Sequence, residues 1–90
     1  MGEKSKVISN PVDAERRIYA APALEKGLDI LEILCKSEGA LSQKEIAQQL
    51  GRSVGEIYRM LSCLVDRNYV SQVDESSYSI TTKLYELSHI

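Results

Sequence analysis

Arg59 is the side chain in this sequence best equipped to read another molecule. Its guanidinium can grip guanine O6 and N7 through two parallel hydrogen bonds, or hold a phosphate. On a helix turning roughly 100° per residue, Gly55 and Ser62 share its face. Tyr58 lies on one flank, able to donate its hydroxyl to a phosphate and lay its ring on a thymine methyl. Glu56 and Cys63 lie on the other flank; Glu56 can accept from cytosine N4 or serve as the cap partner of Ser53. Gly55 costs about 1 kcal/mol in a helix relative to alanine, and its bare face would let the helix approach a sugar-phosphate wall closely. Arg52 and Ser53 precede the helix on the same side. Upstream, Ser42, Gln43 and Lys44 open another helix whose first amides, hydroxyl and charge suit a phosphate. Taken singly, each is an ordinary solvated residue. Their joint placement points to DNA.

Such a surface needs two short helices held at a fixed angle. Ser42 with Glu45, and Ser53 with Glu56, are two capping boxes that mark two helix starts. Leu41 and Ile46 have the spacing of a hydrophobic staple, and Gly51 supplies the left-handed stop between the helices. The second helix is expected over Gln43–Leu50, with Ile46, Ala47 and Leu50 inward. The third is expected from Val54 to about Arg67, burying Ile57, Met60, Leu61 and Leu64. Two helices joined in this way form a helix-turn-helix, whose second helix can enter a major groove while the first crosses the backbone.

A first helix is expected from Pro22 to about Ser37, with Leu24, Leu28, Leu31 and Cys35 as its inward stripe. It carries more apolar surface than one core needs. Ile30 and Leu34 flank the stripe and Ile33 lies almost opposite, so this second side is expected to meet the C-terminal segment or another subunit, with Ile30, Ile33 and Leu34 as the subunit interface. After the third helix, residues 69–73 and 78–81 read as strands around a polar turn, Asp74 to Ser77. They make a wing. Its acids, Asp74 and Glu75, repel phosphate, leaving Ser76, Ser77 or backbone amides as its possible contacts. Thr82 can cap a last helix bearing Leu84 and Leu87. The expected fold is mainly α with a small β-hairpin: a winged helix-turn-helix of three core helices and a two-stranded wing. Residues 1–21 form an N-terminal arm, 22–82 the domain, and 83–90 the start of a linker helix, as in a fragment of a longer chain. The arm's Lys4, Lys6, Arg16 and Arg17 either lie along a minor groove or belong to a plain disordered terminus.

Composition narrows the class. Ninety residues with 43% apolar and 27% charged side chains allow one soluble globular domain. A net charge of −2 and a pI near 5.4 argue against a general DNA coat, so binding must use a local patch. No apolar run suits a membrane span or a signal peptide, and Lys6 spoils the myristoylation pattern, so the expected address is the cytoplasm. Cys35 and Cys63 are unpaired in the sequence pattern and His89 is the lone histidine; they are expected to be reduced thiols without a metal or cofactor. No carboxylate pair, nucleophile with a histidine, or phosphate-cradling glycine loop suggests an enzyme.

The chain resembles the N-terminal DNA-binding domain of the IclR family of transcriptional regulators. The resemblance covers Ala23 to about Leu87. It rests on Ala23–Leu31 in the first helix, Leu41-Ser42 with Glu45-Ile46-Ala47, Gly51, Ile57-Tyr58-Arg59-Met60-Leu61 with Leu64, and Asn68-Tyr69-Val70 before the wing. Tyr78 and Leu84 fit the hairpin and the segment beyond it. The resemblance implies a winged helix-turn-helix that pairs as a homodimer, reads a partly palindromic operator in double-stranded DNA, and belongs to a parent whose C-terminal domain binds a small organic effector. Arg59 matches the arginine usual in the family's recognition helix. At Val54, Gly55 and Glu56 the chain departs from a basic residue followed by Ser and Thr, so base preference does not transfer. The alternative is a winged-helix module that docks another protein through the same surface without binding DNA.

Overall fold

A computed structural model describes residues 20–89. The arm cations Lys4, Lys6, Arg16 and Arg17 lie outside the described residues. The chain runs α1 (Pro22–Lys36), β1 (Leu41–Ser42), α2 (Gln43–Leu50), α3 (Val54–Asp66), β2 (Val70–Gln72), β3 (Ser77–Ile80) and α4 (Lys83–Leu87). No described helix is long and apolar enough to cross a membrane.

Local chemistry sets the ends of α2 and α3. Each begins with a complete capping box. Ser42 Oγ accepts the Glu45 amide at 3.0 Å while Glu45 Oε1 accepts the Ser42 amide at 2.8 Å. Ser53 Oγ accepts the Glu56 amide at 3.2 Å while Glu56 Oε1 accepts the Ser53 amide at 3.3 Å. Each helix also ends on a left-handed residue. At Gly51, φ is 65°, and the Gly51 and Arg52 amides donate back to Gln48 and Ala47. At Asn68, φ is 70°, and the Asn68 and Tyr69 amides donate to Val65 and Leu64. Both are Schellman ends, which satisfy carbonyls that would otherwise be orphaned.

The core is one cluster: Ile30 and Leu34 from α1, Ile46 and Ala47 from α2, Ile57 and Leu61 from α3, Val70 from β2 and Tyr78 from β3. Burying a side chain of Ile or Leu size stabilises by about 1.5–3 kcal/mol. In so small a domain these few residues fix how the helices sit.

Three features depart from the sequence expectation. First, α1 is rotated from the expected stripe, of which Leu31 alone packs against the core. Ile30 and Leu34, expected at a subunit interface, are 0% and 2% exposed in the core, and Ile33 is half-buried against it. Leu24 and Leu28 of the expected inward stripe are 62% and 46% exposed, and Cys35 is exposed too. The helix is apolar on two sides, and periodicity cannot say which side α2 and α3 will occupy. Second, the sheet has three antiparallel strands in the order β1-β3-β2. Leu41 pairs with Tyr78 and Ser42 with Ser77 on one edge of β3; Val70 pairs with Ile80 and Gln72 with Tyr78 on the other. A strand as short as β1 has no period to detect. Third, Thr82 makes no side-chain cap and instead donates to Glu86 Oε2 at 2.8 Å. Thr81 takes over nearby: its Oγ1 accepts the Lys83 amide at 3.1 Å and donates to the Asn68 carbonyl at 2.7 Å.

Candidate nucleic-acid interface

The outward face of α3 is set by its inward one. With Ile57 and Leu61 sealed in the core and Met60 and Leu64 packed beside them, Gly55, Arg59 and Ser62 fall on the solvent side and are exposed. Tyr58 is 53% exposed on the adjoining flank. Arg52 and Ser53 are exposed just before the helix. A β-carbon added at Gly55 would meet no atom within 4 Å, so nothing inside the subunit requires glycine there. The bare face looks outward only.

Glu56 is half-buried and fully engaged. Its Oε1 takes the Ser53 amide, and its Oε2 takes the Lys26 ammonium of α1 at 2.9 Å. The Lys26 hydrogen bond, then the Ser53 amide, hold the Glu56 carboxyl below the usual carboxylate range. Each oxygen thus takes a donor from within the chain, which is the cap role that the sequence offers as the alternative to a cytosine contact. Lys26 itself was not legible as a site residue, because it lies 30 positions from its partner.

At the start of α2, donors are also partly committed. The Gln43 amide donates to the Ser76 carbonyl at 2.9 Å, and Gln43 Oε1 accepts the Tyr78 hydroxyl at 3.3 Å. Burial, then the neighbouring Tyr58, raises the Tyr78 hydroxyl above its ordinary pKa, so it stays a donor. Ser42 Oγ accepts the Glu45 amide, which leaves its own proton to give. Lys44 is exposed.

The wing tip is closed on itself. Asp74 Oδ1 accepts the amides of both Ser76 and Ser77 at 3.0 Å. The Ser76 amide, followed by Ser77, holds the Asp74 carboxyl below the usual range. The amides expected to face phosphate are thus occupied, and an ionised acid stands in front of them. Asp followed two residues on by Ser is an Asx-turn signal that could have revealed this from the sequence.

Residues of α1, of the second half of α3 and of α4 line an open apolar cleft of about 490 Å³. Leu24, Leu28, Leu31, Cys63, Leu64 and Leu84 line it. Cys63 and Cys35 are both free and exposed.

Comparison with known proteins agrees with this geometry. The family model of the IclR helix-turn-helix domain matches residues 23–74. The fold is similar to the crystal structure of Pseudomonas aeruginosa HmgR, with a TM-score of 0.67 and 24% identity over 74% of this chain and 29% of that one. It is also similar to an IclR family transcriptional regulator from Brucella abortus, with a TM-score of 0.70 and 26% identity over 81% of this chain and 28% of that one. The chain thus spans under a third of either structure. No curated protein matches the sequence significantly.

Proposed function

We infer the function from one premise: the chain belongs to the IclR helix-turn-helix family, whose domain model covers residues 23–74. It is a DNA-binding domain of the transcription-regulator type. The finer reading is that α3 enters the major groove and reads base edges, while the start of α2 crosses the phosphate backbone. The observation that carries it is the exposed set Gly55, Arg59 and Ser62, opposite the buried Ile57 and Leu61. Arg59 is the base or phosphate contact. Tyr58, Arg52, Lys44 and the Ser42 hydroxyl flank it with donors. Ser53 and Glu56 serve by holding the helix start, and Ser76 and Ser77 offer only their hydroxyls.

The domain works as a homodimer, so that two α3 helices meet the two halves of a partly palindromic operator. The subunit contact is the apolar strip of α1 carrying Leu24 and Leu28, supported by their exposure and by the cleft that they line with the half-buried Leu31. In a parent regulator, a separate domain would bind the small effector.

Selection of duplexes from a random-sequence pool tests the reading. The wild-type chain should enrich a two-part site, and its affinity should fall with salt at a log–log slope of about −0.9 per phosphate neutralised. A chain that enriches nothing, with binding insensitive to salt, overturns it in favour of a protein dock. Sedimentation of the Leu28→Asp variant addresses pairing; a dimer that persists unchanged removes this strip as the contact.

A further inference from the structure

We propose that Lys26 is a positioning residue for DNA reading: from α1 it holds Glu56 of α3 in an ion pair, so that this acid clamps its own helix start and does not repel the duplex. The inference rests on α3 being the recognition helix and assigns it a second, supporting helix.

Glu56 sits in the first turn of α3, beside the arginine face. The first turn of a recognition helix is the part that comes nearest base edges. An uncompensated carboxylate there would oppose the phosphates, in a chain whose net charge is already −2. Yet the same carboxylate is favourable to the helix itself. It completes the capping box and faces the positive end of the helix dipole. Lys26 resolves the conflict. Its ammonium lies 2.9 Å from Glu56 Oε2 while Glu56 Oε1 remains on Ser53. The pair is charge-neutral, and its oxygens are turned to donors within the subunit.

The two side chains keep 19% and 33% of their exposure. Pairs this accessible contribute little to folding. Their larger effect is on the field in front of α3, which acts on a highly charged ligand. The pair also joins α1 directly to the first turn of α3, so the helix that reads is anchored to a helix that does not.

The test is a set of four variants of the full chain, each titrated with duplexes that the wild type selects from a random pool. Lys26→Met keeps the side-chain volume and leaves Glu56 charged and unpaired; affinity at low salt should drop roughly tenfold, with the gap narrowing as salt rises. Lys26→Arg restores the positive partner and should bind like the wild type. Glu56→Gln keeps a capping acceptor and removes the charge, so adding Lys26→Met to it should change affinity little; a roughly tenfold loss on that addition would also overturn the proposal. The double variant Lys26→Met with Glu56→Gln should recover to within about threefold of the wild type. Helical circular dichroism and melting are followed in parallel, because a merely structural role would make affinity track stability and would give no rescue. The proposal is overturned if Lys26→Met binds as the wild type does, or if neither Lys26→Arg nor the double variant recovers. A wild-type chain that selects no duplex sinks the DNA reading itself, a distinct result.

Discussion

Helix α3 and the wing tip are both exposed, but they differ in which hydrogen-bonding groups are already paired within the chain. On α3, Arg59 and Ser62 face solvent, and the nearby acid is matched by Lys26. On the wing, Asp74 has drawn in the amides of Ser76 and Ser77 and stays charged in front of them. Exposure and availability are separate properties. A group is available when its hydrogen-bonding capacity is unspent, and that requires counting partners.

The contrast breaks most directly at Arg59. Arg59→Ala should lower affinity for a selected duplex by about 1–3 kcal/mol, roughly 5- to 150-fold, with the melting temperature nearly unchanged. An unaltered Kd would move recognition off α3. Gly55→Ala sharpens the contrast, because the added methyl meets nothing inside the subunit. Stability should rise by about 1 kcal/mol in urea melts while DNA affinity falls. A rise in both would mean that no wall comes close to this face. Ser53→Ala should cost about 1 kcal/mol of stability through its lost cap, as should Ser42→Ala at the other capping box. Only Ser53→Ala should also disturb Glu56, which a shifted Glu56 carboxyl signal by NMR would report.

The smallest effect concerns the wing. Asp74→Ala removes a negative charge and releases two amides, so affinity at low salt should rise by a few-fold at most. No rise places the wing away from the duplex. The same variant has a pH signature. The Asp74 carboxyl is depressed in the folded chain, so its stabilisation is present at neutral pH and lost as pH falls through that lowered value. Asp74→Ala should flatten this acid limb in melts followed across pH.

What could be read from the sequence was what short stretches decide by themselves. Helix α2 matches its expected span residue for residue, and α3 to within a residue at its end, because caps, Gly51 and the 3.6-residue period are local signals. The outward face of α3 came with them. The inward face of α1 did not, since two apolar sides compete and only the packing of α2 and α3 chooses Ile30 and Leu34. Strand β1 escaped because its two residues pair with β3, which lies far along the chain. Lys26 escaped for the same reason: the helices that bring it to Glu56 had first to be packed.

Strand β1 passes without a break into α2, and β3 grips it at Leu41 and Ser42. One residue further on, the Gln43 amide is fastened to Ser76. The hairpin is thereby stitched to the first turn of α2 at three consecutive residues, while Val70 and Tyr78 tie the same hairpin into the core that α2 and α3 share. A change at the loop between the strands is therefore felt first where α2 begins.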